Sequence, residues 1–119
     1  MDPLKIDSMP GKYEGVKIIH LSGAFTLKDV FEFQSFARSL TDPVTIIDLS
    51  GVPYMDSASL GSLISFHTTC QSQKRRYALV GMSERIQTLF RVGGVEKILI
   101  SYPSLDEAQD ALTRQSAAP

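Results

Sequence analysis

The chain has 119 residues, 12 Lys and Arg against 13 Asp and Glu, a formal net charge of −1, 43% hydrophobic and 21% charged residues, and one cysteine, Cys70. That length suits one domain whose core needs no metal or disulfide. The near-neutral charge excludes a strong field for nucleic acid or an anionic membrane, and one cysteine excludes a disulfide framework or a cysteine-based zinc site. No apolar run approaches the length that spans a bilayer, and Met1 to Lys5 lacks the basic and apolar stretches of a secretory signal. A cytoplasmic protein without membrane insertion is the expectation.

Leu4 to Met9 alternates and Val16 to Leu21 is rich in β-branched residues, with Pro10-Gly11-Lys12 between them as a turn. These two segments predict an antiparallel hairpin. Thr26 opens a helix, with Asp29 three residues on as a variant capping box. Leu27, Val30 and Phe31 fall on one face, and Phe33, Phe36, Ala37 and Leu40 extend the apolar stripe. Asp42-Pro43 ends the helix, because the residue before proline resists helical angles. Val44 to Leu49 is a short β-branched run of the kind buried on both faces of a sheet. Asp56 or Ser57 caps the next helix, which carries Leu60, Leu63, Ile64, His67 and Thr68 at helical spacing to about Gln73. Lys74-Arg75-Arg76, the longest basic run, reads as its solvated end.

Tyr77 to Val80 is a second buried-type strand, ended by Gly81. Ser83 caps a short helix with Ile86, Leu89 and Phe90, stopped at Gly93-Gly94. Lys97 to Ser101 reads as a short edge strand. Ser104 and Glu107 form a capping box for an amphipathic last helix with Leu105, Ala108, Ala111 and Leu112. The order is β-β-α-β-α-β-α-β-α. It predicts a single α/β domain over residues 1–115, a mixed sheet of four to five strands with about four helices, and a frayed tail at 116–119.

An enzyme reading needs a constellation of groups, and none assembles. His20 lies in a strand and His67 on the apolar face of a helix, neither with an acid or nucleophile nearby in sequence. No histidine pair stands at metal-ligand spacing. No Gly-rich phosphate loop with its lysine and no dinucleotide fingerprint is present. Basic residues are not interleaved with aromatics as in RNA binders. The expectation is a binding module with no catalytic residues, cofactor or metal.

The informative segment runs from Ile46 through Asp48-Leu49-Ser50 to Asp56-Ser57-Ala58-Ser59-Leu60-Gly61. It resembles the STAS domain, the fold of bacterial anti-sigma factor antagonists. In that family a strand leads to a D-L-S or similar run, a short loop and D-S-[ST]-G-L-G at a helix start. Asp56, Ser57, Leu60 and Gly61 match in register. Ala58 stands where the family has Ser or Thr, and Ser59 where it has Gly. Leu21-Ser22-Gly23 and the Ser83 to Val95 run are similar to further family segments, so the resemblance covers nearly the whole chain.

The resemblance implies partner switching in transcription regulation. An anti-sigma factor that is also a serine kinase would bind the unmodified domain and phosphorylate Ser57, releasing it, and a serine phosphatase would reset it. The implied docking surface combines Asp56, Ser57, Ser59 and Ser62 with Thr26 and Lys28, and a homodimer is compatible with it. Elementary electrostatics agree. A helix N-terminus tolerates a phosphate, while a charge of about −1.5 to −2 beside Asp56 opposes docking. Two other readings use the same fold: a non-phosphorylated scaffold or lipid-transporter accessory, and a nucleotide- or anion-sensing module.

Overall fold

The structure is a computed structural model, and it describes residues 3–117. Strands β1 (Lys5–Pro10), β2 (Val16–Ser22), β3 (Val44–Gly51) and β4 (Arg76–Val80) form one sheet in the order β1-β2-β3-β4. β1 and β2 are the antiparallel hairpin, and β2, β3 and β4 run parallel. The crossovers are α1 (Leu27–Ser39) and α2 (Ser57–Ser72); α3 (Glu84–Val92) and α4 (Leu105–Ala117) follow β4.

β3 is buried on both faces, as its composition predicts. Ile47 and Leu49 join the larger core with Leu63 and Phe66 of α2 and Phe33 of α1. Val44 and Ile46 point the other way, into a smaller core with Ala108 and Leu112 of α4. Aromatic contacts link the larger core along its length: Phe25 to Phe33, Phe33 to Phe66, and Phe66 to Tyr77, with centroids 5.1, 6.4 and 5.6 Å apart.

The segment read as a fifth strand is not one. Val95 to Leu99 makes a tight turn, with the Ile98 and Leu99 N–H groups donating to the Val95 carbonyl. That turn buries Val95 and Leu99 and leaves a lone bridge, Leu79 to Ser101, against β4. The sheet therefore has four strands. The basic run also differs from a plain helix end. Lys74 takes a left-handed φ of 57°, Arg75 donates from Nε to the Asp42 carbonyl at 2.9 Å, and Arg76 opens β4. At the C-terminus α4 continues to Ala117; of the predicted tail, residues 118–119 lie outside the described residues.

Gly23 and Gly51 fit the loops at the carboxyl end of the sheet together. Gly23 has φ +99°, where only glycine is unstrained, and a Cβ on Gly51 would lie 2.8 Å from the Leu21 carbonyl oxygen. The Gly23 N–H donates to the Gly51 carbonyl at 2.9 Å.

Candidate functional site

The loop before α1 and the loop before α2 are joined by backbone. Phe25 bridges Met55, and the Phe25 N–H donates to the Tyr54 carbonyl at 2.9 Å. Both Phe25 and Met55 are buried, so apolar packing holds the two helix starts side by side.

Asp56 is the N-cap of α2. Its Oδ1 accepts the Ser59 N–H at 2.9 Å, and Ser59 Oγ accepts the Asp56 N–H at 3.1 Å, a reciprocal capping box. Its Oδ2 accepts the Leu27 N–H, the first of α1, at 2.9 Å. Asp56 therefore caps two helices. Burial pushes its carboxyl upward, but the hydrogen bonds from Ser59 and Leu27 outweigh that and hold it below the usual carboxylate value.

Asp29 does similar work one turn into α1. It accepts the Leu4 N–H at 3.0 Å and the Thr26 N–H at 3.1 Å, and the Lys28 ammonium at 2.7 Å. Burial again raises the carboxyl, and the Lys28, Leu4 and Thr26 bonds bring it below the usual value.

The six residues expected at the docking surface separate. Ser57, at the first position of α2, is exposed, and among the described residues its hydroxyl has no hydrogen-bond partner. Asp56 and Thr26 are half-buried at the two helix starts, and Lys28 leans on Asp29. Ser59 and Ser62 do not belong to the surface: they are 0% and 2% exposed. Ser59 is consumed by the capping box, and Ser62 Oγ donates to the Ser59 carbonyl at 2.6 Å. Ser59 therefore presents no bulk to a molecule approaching Ser57.

Two apolar surfaces that the sequence reading did not place outside flank Ser57. On α1, Leu27 and Phe31 are 70% and 78% exposed. On the other side an open groove of about 540 Å³ runs between the start of α2 and α3, lined by Tyr54, Met55, Ser57, Arg85, Leu89 and Val92 among others. Val92 is 81% exposed, and the Arg85 guanidinium lies 5.9 Å from the centre of the Tyr54 ring.

The histidines find structural partners. His20 Nδ1 lies 3.0 Å from an Asp48 oxygen and its Nε2 3.3 Å from the Met9 sulfur. His67 Nδ1 lies 2.7 Å from the Tyr77 hydroxyl, which accepts the Ile100 N–H at 3.1 Å. Burial drives the Tyr77 phenol up to about 12. No cluster of His, Cys, Asp and Glu able to hold a metal occurs among the described residues. Among them, too, no helix is long and apolar enough to cross a membrane.

Comparison with known proteins agrees with this geometry. An anti-sigma-B factor antagonist of Listeria monocytogenes is 30% identical over 76 residues, 64% of this chain and 67% of that protein. An anti-sigma factor antagonist from Mycobacterium paratuberculosis superposes with a TM-score of 0.77 at 21% identity, covering 90% of this chain and 93% of the other. A sulfate transporter family protein from Wolinella succinogenes superposes equally well, with a TM-score of 0.77 at 21% identity and coverage of 89% and 91%. The STAS domain family model matches residues 10–108, and the chain, with its β1-β2-β3-β4 sheet and doubly capping aspartate, belongs to the STAS domain family.

Proposed function

We propose that this chain is an anti-sigma factor antagonist whose docking face is centred on Ser57, and that a serine kinase acting as the anti-sigma factor controls it by phosphorylating Ser57. One observation carries the choice of residue. Of the polar side chains in the Asp56 to Ser62 turn, Asp56, Ser59 and Ser62 are committed to local hydrogen bonds, and Ser57 alone among these is exposed with a free hydroxyl. The name of the Listeria relative favours the same reading. The fold by itself does not choose, because a sulfate transporter family protein shares it.

The kinase would supply ATP and the catalytic base. Ser57 Oγ attacks the γ-phosphorus, the bond to the bridging oxygen breaks, ADP leaves and the hydroxyl proton passes to the base. The product carries about −1.5 to −2 charge at the helix start. The partial positive charge of the helix N-terminus accommodates it without unfolding. In a docked complex the same charge is desolvated beside Asp56 and flanked by Leu27, Phe31 and Val92. Each 1.4 kcal/mol lost there weakens binding about tenfold. The domain keeps its shape and changes its surface. A phosphatase restores the hydroxyl by hydrolysis, water taking the phosphoryl group away as inorganic phosphate. All of this belongs in the cytoplasm, where ATP is available.

The test is to mix the protein with the serine kinase of its own genome and ATP, and to read intact mass. A single phosphate mapped to Ser57, absent from Ser57→Ala and accompanied by loss of kinase binding, is the expected result. A kinase active on another substrate that binds this chain but never modifies it would replace the switch with a constitutive adaptor.

A further inference from the structure

We propose that Arg85 is the internal acceptor of a phosphate on Ser57: in the phosphorylated domain its guanidinium leaves the Tyr54 ring, pairs with the phosphate and covers the groove floor. This deepens the reading above and rests on Ser57 being the modified residue.

Ser57 and Arg85 line the same open groove, one from the start of α2 and the other from the first turn of α3. Of the described residues that line it, two carry charged side chains, Asp56 and Arg85. The Asp56 carboxylate repels a phosphate, and both its oxygens already accept backbone N–H groups. Arg85 is exposed. Among the described residues it has no ion pair or hydrogen bond, and its recorded contact is the face of Tyr54. The nearest basic residue of α1, Lys28, is held by Asp29 at 2.7 Å. Arg85 is thus the groove's uncommitted cation.

A guanidinium matches a phosphate with two parallel N–H donors, and such charge-assisted bonds are stronger than an exposed contact with a ring face. In the unmodified domain Leu89 and Val92 lie open to a partner's apolar side chain. In the phosphorylated domain the Ser57–Arg85 pair spans them. Modification then acts twice, by the cost of desolvating its charge beside Asp56 in a docked complex and by closing the groove from within.

The test installs phosphoserine at position 57 during synthesis, so no kinase is required. The phosphate is titrated by phosphorus NMR through its second ionisation, near pH 6. Arg85 stabilises the dianion, so Arg85→Gln raises that pKa by about half a unit at low salt. Arg85→Lys falls between the two, and added salt shrinks the difference. Asp56 and the α2 N–H groups act equally in all three proteins and cancel. The Arg85 Nε–H resonance shifts on phosphorylation and exchanges more slowly. Identical titration curves for parent and Arg85→Gln, with an unmoved Nε–H signal, would overturn the proposal. A kinase that ignores Ser57 would sink the functional reading and leave this result intact, whereas an insensitive phosphate would sink the clamp alone. Because Arg85 is exposed, its variants keep the fold.

Discussion

The carboxylate of Asp56 accepts the Leu27 N–H at 2.9 Å, which makes one side chain the cap of its own helix and of the helix that precedes it by a whole strand. Losing one cap costs about 1 kcal/mol, and losing the exposed Leu27 N–H bond to the carboxylate removes about 1–1.5 kcal/mol more. Asp56→Ala is expected to lower stability by about 2–3 kcal/mol in urea unfolding, more than a single cap explains. Asp56→Asn keeps an acceptor and costs about half as much. If Asp56→Ala lost no more than Ser83→Ala, which removes an ordinary cap on α3, the bridging role would be wrong.

The pH dependence follows from Asp56 and Asp29 together. Both carboxyls are held below their ordinary value of 3.8 in the folded chain. In the unfolded chain they take up protons first as pH falls. The stability they contribute is complete above the ordinary value and is lost as pH drops through their lower folded values. The chain is expected to destabilise steeply from about pH 4 downward. Asp29→Asn and Asp56→Asn should flatten that slope while lowering stability at neutral pH. An unchanged slope in both variants would show that other carboxylates drive acid unfolding.

Much of this was legible beforehand, and the failures have physical causes. Composition and spacing suffice for the hairpin and the doubly buried β3, and they narrow the α2 cap to Asp56 or Ser57, of which the structure uses Asp56. Ser59 reads as a surface replacement for a family glycine, but the Asp56 to Ser59 spacing is also that of a capping box, which turns the hydroxyl inward. Lys97 to Ser101 has strand composition, but Val95 and Leu99 are spaced four apart and close a turn that buries both. Tertiary burial there overrides local propensity. The groove beside Ser57 was not legible, because Tyr54 and Arg85 are far apart in sequence and meet only when α3 packs.

The two faces of α1 give a clean contrast. Phe31 and Phe33 are two residues apart, about 200° around the helix, so one stripe cannot bury both. Phe33 is buried between Phe25 and Phe66, and Phe31 is outside. Phe33→Ala is expected to cost about 3–5 kcal/mol, and Phe31→Ala less than about 0.5 kcal/mol. A side chain so apolar and so exposed, one turn along α1 from Leu27, is a natural anchor, and Phe31→Ala should weaken partner binding at unchanged stability. Comparable destabilisation by the two alanines would mean that α1 is rotated from the orientation described.

Ser57 and Ser59 separate the switch from the scaffold within one turn. Ser59 Oγ accepts the Asp56 N–H and donates to the Asp56 carbonyl at 3.1 and 3.0 Å, in a fully buried position. Ser59→Ala leaves a donor unpaired and should cost about 1 kcal/mol. Ser59→Gly, which restores the family's residue, adds about 1 kcal/mol of helix propensity to that loss. Neither removes the exposed hydroxyl next to Asp56, so both variants should still take a single phosphate from the kinase. Ser57→Ala should behave oppositely, unfolding within about 0.5 kcal/mol of the parent and taking none. The pair of measurements is urea unfolding and intact mass after incubation with kinase and ATP. A folded Ser59→Ala that resists phosphorylation would place Ser59 in the kinase's recognition of the site, and a phosphate retained by Ser57→Ala would move the switch to another residue.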